Sequence, residues 1–176
     1  APRPSNSALD NEPSPAMPAP EKVPGLTEVM RRHILEFLAL ALGAIKDEVP
    51  RMNQHVSFGL NLFGAGAAQA YGQTTGLNRM QSFVLVRETV EALGNTPDRV
   101  DAFCRQYTEY AAEERYHMMI AAGEESMRRH VAGDPEPFEN FADVIQMWTS
   151  DAAARAQAQG IVCIMFTDIV GSTQMT

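Results

Sequence analysis

Asp168 follows an unbroken apolar run, Ile161-Val162-Cys163-Ile164-Met165-Phe166, with only Thr167 between, and is followed by Gly171, Ser172 and Thr173. The run is rich in β-branched side chains and short enough for a strand buried on both faces. A carboxylate at the end of such a strand supplies a hard oxygen ligand for a divalent cation. Glycine beside Ser and Thr lets backbone N–H groups approach an anion where the chain turns into a helix. These residue types together suit a site for a metal and a phosphate. On spacing alone, a capping Asp at an ordinary strand-to-helix turn is the commoner reading.

The literal residues say more than the spacing. Phe166-Thr167-Asp168-Ile169-Val170-Gly171-Ser172-Thr173 resembles the opening motif of the class III nucleotidyl cyclase catalytic domain, the adenylate cyclase family. The resemblance covers only the C-terminal tenth of the chain. It implies that Asp168 and Ile169 are metal ligands, the first through its carboxylate and the second through its main-chain carbonyl. It implies that Gly171, Ser172 and Thr173 lie against the triphosphate. The reaction implied is ATP to 3′,5′-cyclic AMP and pyrophosphate, with Mg²⁺ or Mn²⁺ activating the 3′-hydroxyl and neutralising the leaving phosphates. In that family the second metal-binding Asp, the base-selecting residues and the transition-state Arg lie further along than Thr176. Guanylate cyclase is therefore the nearest alternative, and the 176 residues are expected to be inactive alone. The family builds its active sites between two catalytic domains, so a homodimer is expected.

A second polar set lies upstream. If residues 97–130 form one continuous helix, Glu114 falls inside the apolar arc set by Val100, Tyr107 and Met118, with His117 at its edge. Glu114-x-x-His117 is the spacing used by di-iron carboxylate bundles, which need a second such pair and two further acids on other helices. The sequence offers no second pair. A half-buried Glu114 paired with Arg79 or Arg87 is the favoured reading, and these four residues are the candidate regulatory polar site. His33, His55, His117 and His130 are candidate haem ligands, although histidines on helices are more often structural. Tyr107, Tyr110 and Tyr116 either line a ligand pocket or straddle core and surface.

Five helical segments must position these groups. Residues 1–25 hold seven of the eleven prolines and read as a disordered lead. The first helix follows Thr27 as N-cap, with a stripe of Met30, Ile34, Phe37, Leu38, Ala41, Leu42 and Ile45, and ends at Pro50. The second, about 51–72, carries Val56, Leu60 and Phe63 among Gly59, Gly64, Gly66 and several alanines. Mid-helix glycine costs about 1 kcal/mol against alanine, so the close approach of another helix is expected there, ahead of a pocket. The third ends at Gly94, with Phe83, Val86, Val90 and Leu93 as its seam. Thr96-Pro97 opens the fourth, which is expected to run to about His130 with Val100, Phe103, Tyr107, Ala111, Met118 and Ala121 on one face. A linker helix from Phe138 to about Gln157 carries Phe141, Val144, Ile145 and Trp148 into the strand.

The expected fold is thus all-α: a bundle of four main helices plus a linker helix, then the first β-strand of a truncated α/β cyclase domain. The expected divisions are a lead over 1–25, a regulatory and dimerisation bundle over 26–134, a linker over 135–159, and the start of the catalytic domain over 160–176. The exposed small residues of helix two, or the apolar stripe of the linker, are the expected dimer interface. Net charge is −8 and no basic stripe occurs, which argues against nucleic acid. No apolar stretch is long enough for a membrane span, and no signal pattern opens the chain, so a cytoplasmic protein is expected. Cys104 and Cys163 lack metal-site spacing and read as reduced core thiols. The contrasting function class is a free-standing helical module for a small ligand, haem or metal.

Overall fold

The computed structural model describes residues 28–49 and 52–150. Their regular structure is entirely helical: α1 (Glu28–Ala44), α2 (Gln54–Thr74), α3 (Arg79–Ala92), α4 (Pro97–Ala112), α5 (Glu114–Val131) and α6 (139–150). The Pro-rich lead, the strand at 161–166, and Asp168, Ile169, Gly171, Ser172 and Thr173 lie outside the described residues. Among the described residues, no helix is long and apolar enough to cross a membrane.

The architecture is organised around α2. Asn53 caps its start, the side chain accepting from the Val56 N–H at 2.9 Å. From Gly59 to Ala68 every residue is buried, so α2 has neighbours on all sides. Its most extensive partner is α5, followed by α3. The small residues make this possible. A Cβ at Gly66 would overlap the Ile120 carbonyl of α5, and a Cβ at Gly123 of α5 would overlap the Phe63 carbonyl of α2. The two backbones therefore touch through reciprocal glycines. Gly64 admits Leu93 and Thr89 from the α3 end, and Gly72 admits Ser82. The close approach expected of helix two is present, and it is made inside one chain.

Three departures from the sequence reading share that origin. The long fourth helix is two helices. Glu113, in extended conformation (φ −91°, ψ 119°), ends α4 and begins α5. No Gly or Pro marks the break, and the surrounding Ala112, Glu113 and Glu114 are adequate helix formers. Tertiary packing overrides propensity here, because α5 must lie along α2. The buried face of α5 consequently runs through Met119, Ile120, Ala122, Gly123, Ser126 and Met127, rather than through Met118 and Ala121. Second, the apolar face of the linker helix is not free. Phe141, Ile145 and Trp148 are buried within the same chain, so neither helix two nor the linker offers the open apolar face assumed for a dimer interface. Third, Leu42 and Phe83 lie outward, 37% and 45% exposed, where the periodic pattern placed them on the packed stripes.

The helix joints follow local chemistry. Asn78 and Gln81 form a capping box at the start of α3. Pro97 opens α4 at its first position, although the Thr96 side chain makes no cap bond. After α5 the chain turns at Gly133 (φ +80°), a conformation that a side chain would strain. Arg129 braces that turn by binding Asp134 at 2.7 Å and Glu139 at 3.5 Å.

Candidate functional site

The described residues of greatest functional interest are those that hold α6, because the stretch carrying Asp168 comes next in the chain. Gly59 leaves room for the Trp148 indole on α2: a Cβ there would stand 2.5 Å from Trp148 Nε1. The indole N–H donates to the His55 carbonyl at 3.0 Å, and the His55 ring stacks on the indole at 4.5 Å with a 10° tilt. His55 Nε2 lies 3.0 Å from the Trp148 carbonyl. A carbonyl only accepts, so the proton sits on Nε2. Two reciprocal hydrogen bonds and a ring stack thus close one end of the seat. At the root of the helix, Phe141 stacks on Phe63 at 3.7 Å. Phe37 bridges Phe63 (6.0 Å) and Phe138 (5.2 Å). Aromatic side chains from three helices, α1, α2 and α5, thereby converge around α6, Phe58 and Tyr116 flanking Trp148 from further out.

The candidate regulatory polar set does not assemble. Glu114 and His117 are exposed at the start of α5. The helical wheel that buried Glu114 assumed a continuous helix, and the break at Glu113 resets its phase. Arg87 binds Asp101 of α4, not Glu114, and that carboxylate raises the pKa of its guanidinium. Arg79 is exposed and lines a separate cleft of about 410 Å³ between α2, α3 and α4, with Gln69, Gln73, Ser82, Phe83 and Tyr107. The Tyr107 hydroxyl there donates to Gln69 Oε1 at 3.0 Å, and burial pushes its pKa up. Among the described residues, no three His, Cys, Asp or Glu side chains gather closely enough to hold a metal.

The tyrosines serve both readings offered for them. Tyr107 lines the cleft, Tyr110 lines a second pocket with Phe58, Asn61 and Phe103, and Tyr110 and Tyr116 pack edge-on against Phe58 at 5.2 and 5.4 Å. Cys104 is a half-buried free thiol whose pKa burial raises, as a structural thiol requires. The histidines are distributed among three settings: His55 in the α6 seat, His117 in solvent, and His33 with His130 in a ring pair at 5.3 Å. Sequence reasoning did not single out Asn61, which is buried and exchanges amide hydrogen bonds with Asn95 at 3.1 and 2.8 Å. The signal available for it was a lone polar residue among the small apolar residues of α2.

No protein-family model matches this chain, and neither the curated proteins nor the solved structures supply a match to it.

Proposed function

We propose that this chain is the N-terminal regulatory and dimerisation region of a cytoplasmic class III adenylate cyclase, joined to the first strand and metal motif of its catalytic domain. The observation that carries the reading is the eight-residue stretch Phe166 to Thr173 after an apolar run. In this reading Asp168 and Ile169 hold Mg²⁺ or Mn²⁺, and Gly171, Ser172 and Thr173 contact the triphosphate of ATP. The packing of α6 supports the regulatory part. The helix that precedes the motif is seated on the bundle through Phe141, Ile145 and Trp148, so a change in the bundle has a mechanical route to the catalytic strand. A homodimer belongs to the same reading. Val29, Leu35, Leu40 and Leu42, exposed along the two flanks of the buried α1 stripe, are the apolar surface that supports it.

The test is Asp168→Ala in the full-length parent. Cyclic AMP formation from ATP with Mg²⁺ or Mn²⁺ should fall to background with the helical circular dichroism unchanged, and the isolated 176-residue chain should form none. Retained turnover would remove the assignment. Cyclic GMP formed from GTP in place of cyclic AMP would make it a guanylate cyclase. The 410 Å³ cleft favours the second reading, a free-standing ligand-binding bundle. A second metal-binding Asp following another strand, downstream in the same reading frame, decides for the cyclase.

A further inference from the structure

His33 and His130 meet where α1, α2 and the end of α5 converge. Their rings lie 5.3 Å apart at 48°. His33 stacks on Tyr71 of α2 at 4.9 Å, and His130 packs edge-on against Phe37 at 5.4 Å. The Nε2 of His33 is buried without a hydrogen-bond partner, so in either tautomer that nitrogen has nothing to donate to or accept from. A buried polar atom left in this state calls for an explanation. A His130 ring pressed against another imidazole and a phenyl ring is also poorly placed to carry a positive charge.

We propose that the His33–His130 pair is a proton-sensitive latch, which holds the root of α6 on the bundle while the His130 ring is neutral and loosens it when that ring is protonated. The mechanical connection is short. His130 lies in the last turn of α5, immediately before the Gly133 turn that leads into α6. The ring that His130 abuts, Phe37, is the ring that packs on Phe138 and Phe63, and Phe63 stacks on Phe141. Displacing His130 therefore disturbs the stack beneath the first turn of α6.

The ionisable surroundings leave a charge on His130 poorly compensated. From α2 comes Tyr71. From α5 itself comes Arg129, and from the connector to α6 come Asp134 and Glu139, both engaged by Arg129. On α1, Arg32 adjoins His33 and Glu36 lies one turn on, both exposed. Burial, and next the neighbouring His33, hold His130 below its ordinary value of 6.5. The seated arrangement therefore binds fewer protons than an opened one. The latch is at full strength above pH 6.5 and weakens as pH falls through the lowered midpoint of His130.

The consequence for catalysis rests on the cyclase reading, but the latch is tested without it, on the 176-residue chain. Amide hydrogen exchange is compared at about pH 7.5 and about pH 5.5, either side of the ordinary imidazole midpoint, after correction for the intrinsic pH dependence of exchange. The expected result is a several-fold loss of protection across 139–150 at the lower pH, with α2 still protected. His130→Phe should keep 139–150 protected at both pH values. His33→Phe should do the same and serves if the first variant fails to fold. Unchanged exchange across 139–150 would overturn the proposal, as would an equal loss across α2, which is global unfolding. Persistence of the pH step in both variants would assign it to His55, beside Trp148, and would also overturn it. None of these outcomes bears on Asp168, so the latch and the cyclase reading fail separately.

Discussion

Gly66 and Gly123 decide how closely α2 and α5 can approach, and their value lies in the atom they lack. Each faces a backbone carbonyl of the other helix, and backbone cannot rotate aside as a flexible side chain can. Gly66→Ala or Gly123→Ala should therefore force the two helices apart and destabilise the chain by about 1–3 kcal/mol, the usual range for overpacking a core. Gly43→Ala is the internal control. No atom lies within 4 Å of its added Cβ, so the helix-propensity gain of about 0.5–1 kcal/mol should appear as a small rise in Tm. Thermal unfolding of the three variants checks both signs, and equal losses at all three positions would mean that the close approach is not the cause. Part of this was legible in the sequence. Clustered glycines in an otherwise apolar helix announce a close neighbour, but they do not name it, because the partner is set by contacts remote in sequence. Glu114 shows the opposite failure. Its residue type and spacing suggested a buried site, yet one extended residue at Glu113 turned it to solvent. The hydrophobic wheel assumes helix continuity and cannot test it.

Among the elements, α6 has its position fixed by contacts of a specific kind. One end is held by Trp148, whose indole fills the space at Gly59, donates to His55 and stacks on its ring. Trp148→Ala removes all three, and large-to-small replacements of buried aromatics cost about 3–5 kcal/mol. The loss should fall on α6 locally, read as faster exchange across 139–150 with α2 and α5 still protected. His55→Phe keeps a ring to stack but loses the bond to the Trp148 carbonyl, so a penalty nearer 1 kcal/mol is expected. If His55→Phe releases α6 as fully as Trp148→Ala does, the hydrogen bond outweighs the packing and the present account of the seat is wrong. The sequence showed that Phe141, Ile145 and Trp148 share a face, since their spacing is helical. It did not show that the bundle of the same chain covers that face. An apolar stripe identifies a surface to be buried without saying which molecule buries it.

At the scale of the whole molecule, α1 carries the largest set of exposed apolar side chains among the described residues. Its inner stripe of Ile34, Phe37, Leu38 and Ala41 is buried. Val29 and Leu40, 70% and 54% exposed, border that stripe on one side, and Leu35, 48% exposed, borders it with Leu42 on the other. A helix with exposed leucines on both flanks is underpacked as a monomer. Exposed apolar residues that border a buried stripe extend the surface a partner can cover. In the proposed cyclase reading two catalytic halves would have to meet, and a second copy of the chain would supply the other half. Helix two and α6 cannot serve, because their apolar faces are already covered within the chain. The expected interface is therefore α1 against α1 about a two-fold axis. The 176-residue chain should sediment as a dimer at micromolar concentration. Leu35→Lys combined with Leu42→Lys should return it to a monomer, with helical content and the Trp148 environment preserved, since neither side chain contributes to the core. A dimer that survives this double substitution would place the interface elsewhere. A wild-type chain that stays monomeric at every accessible concentration would leave the bundle without the means to bring two Asp168 strands together.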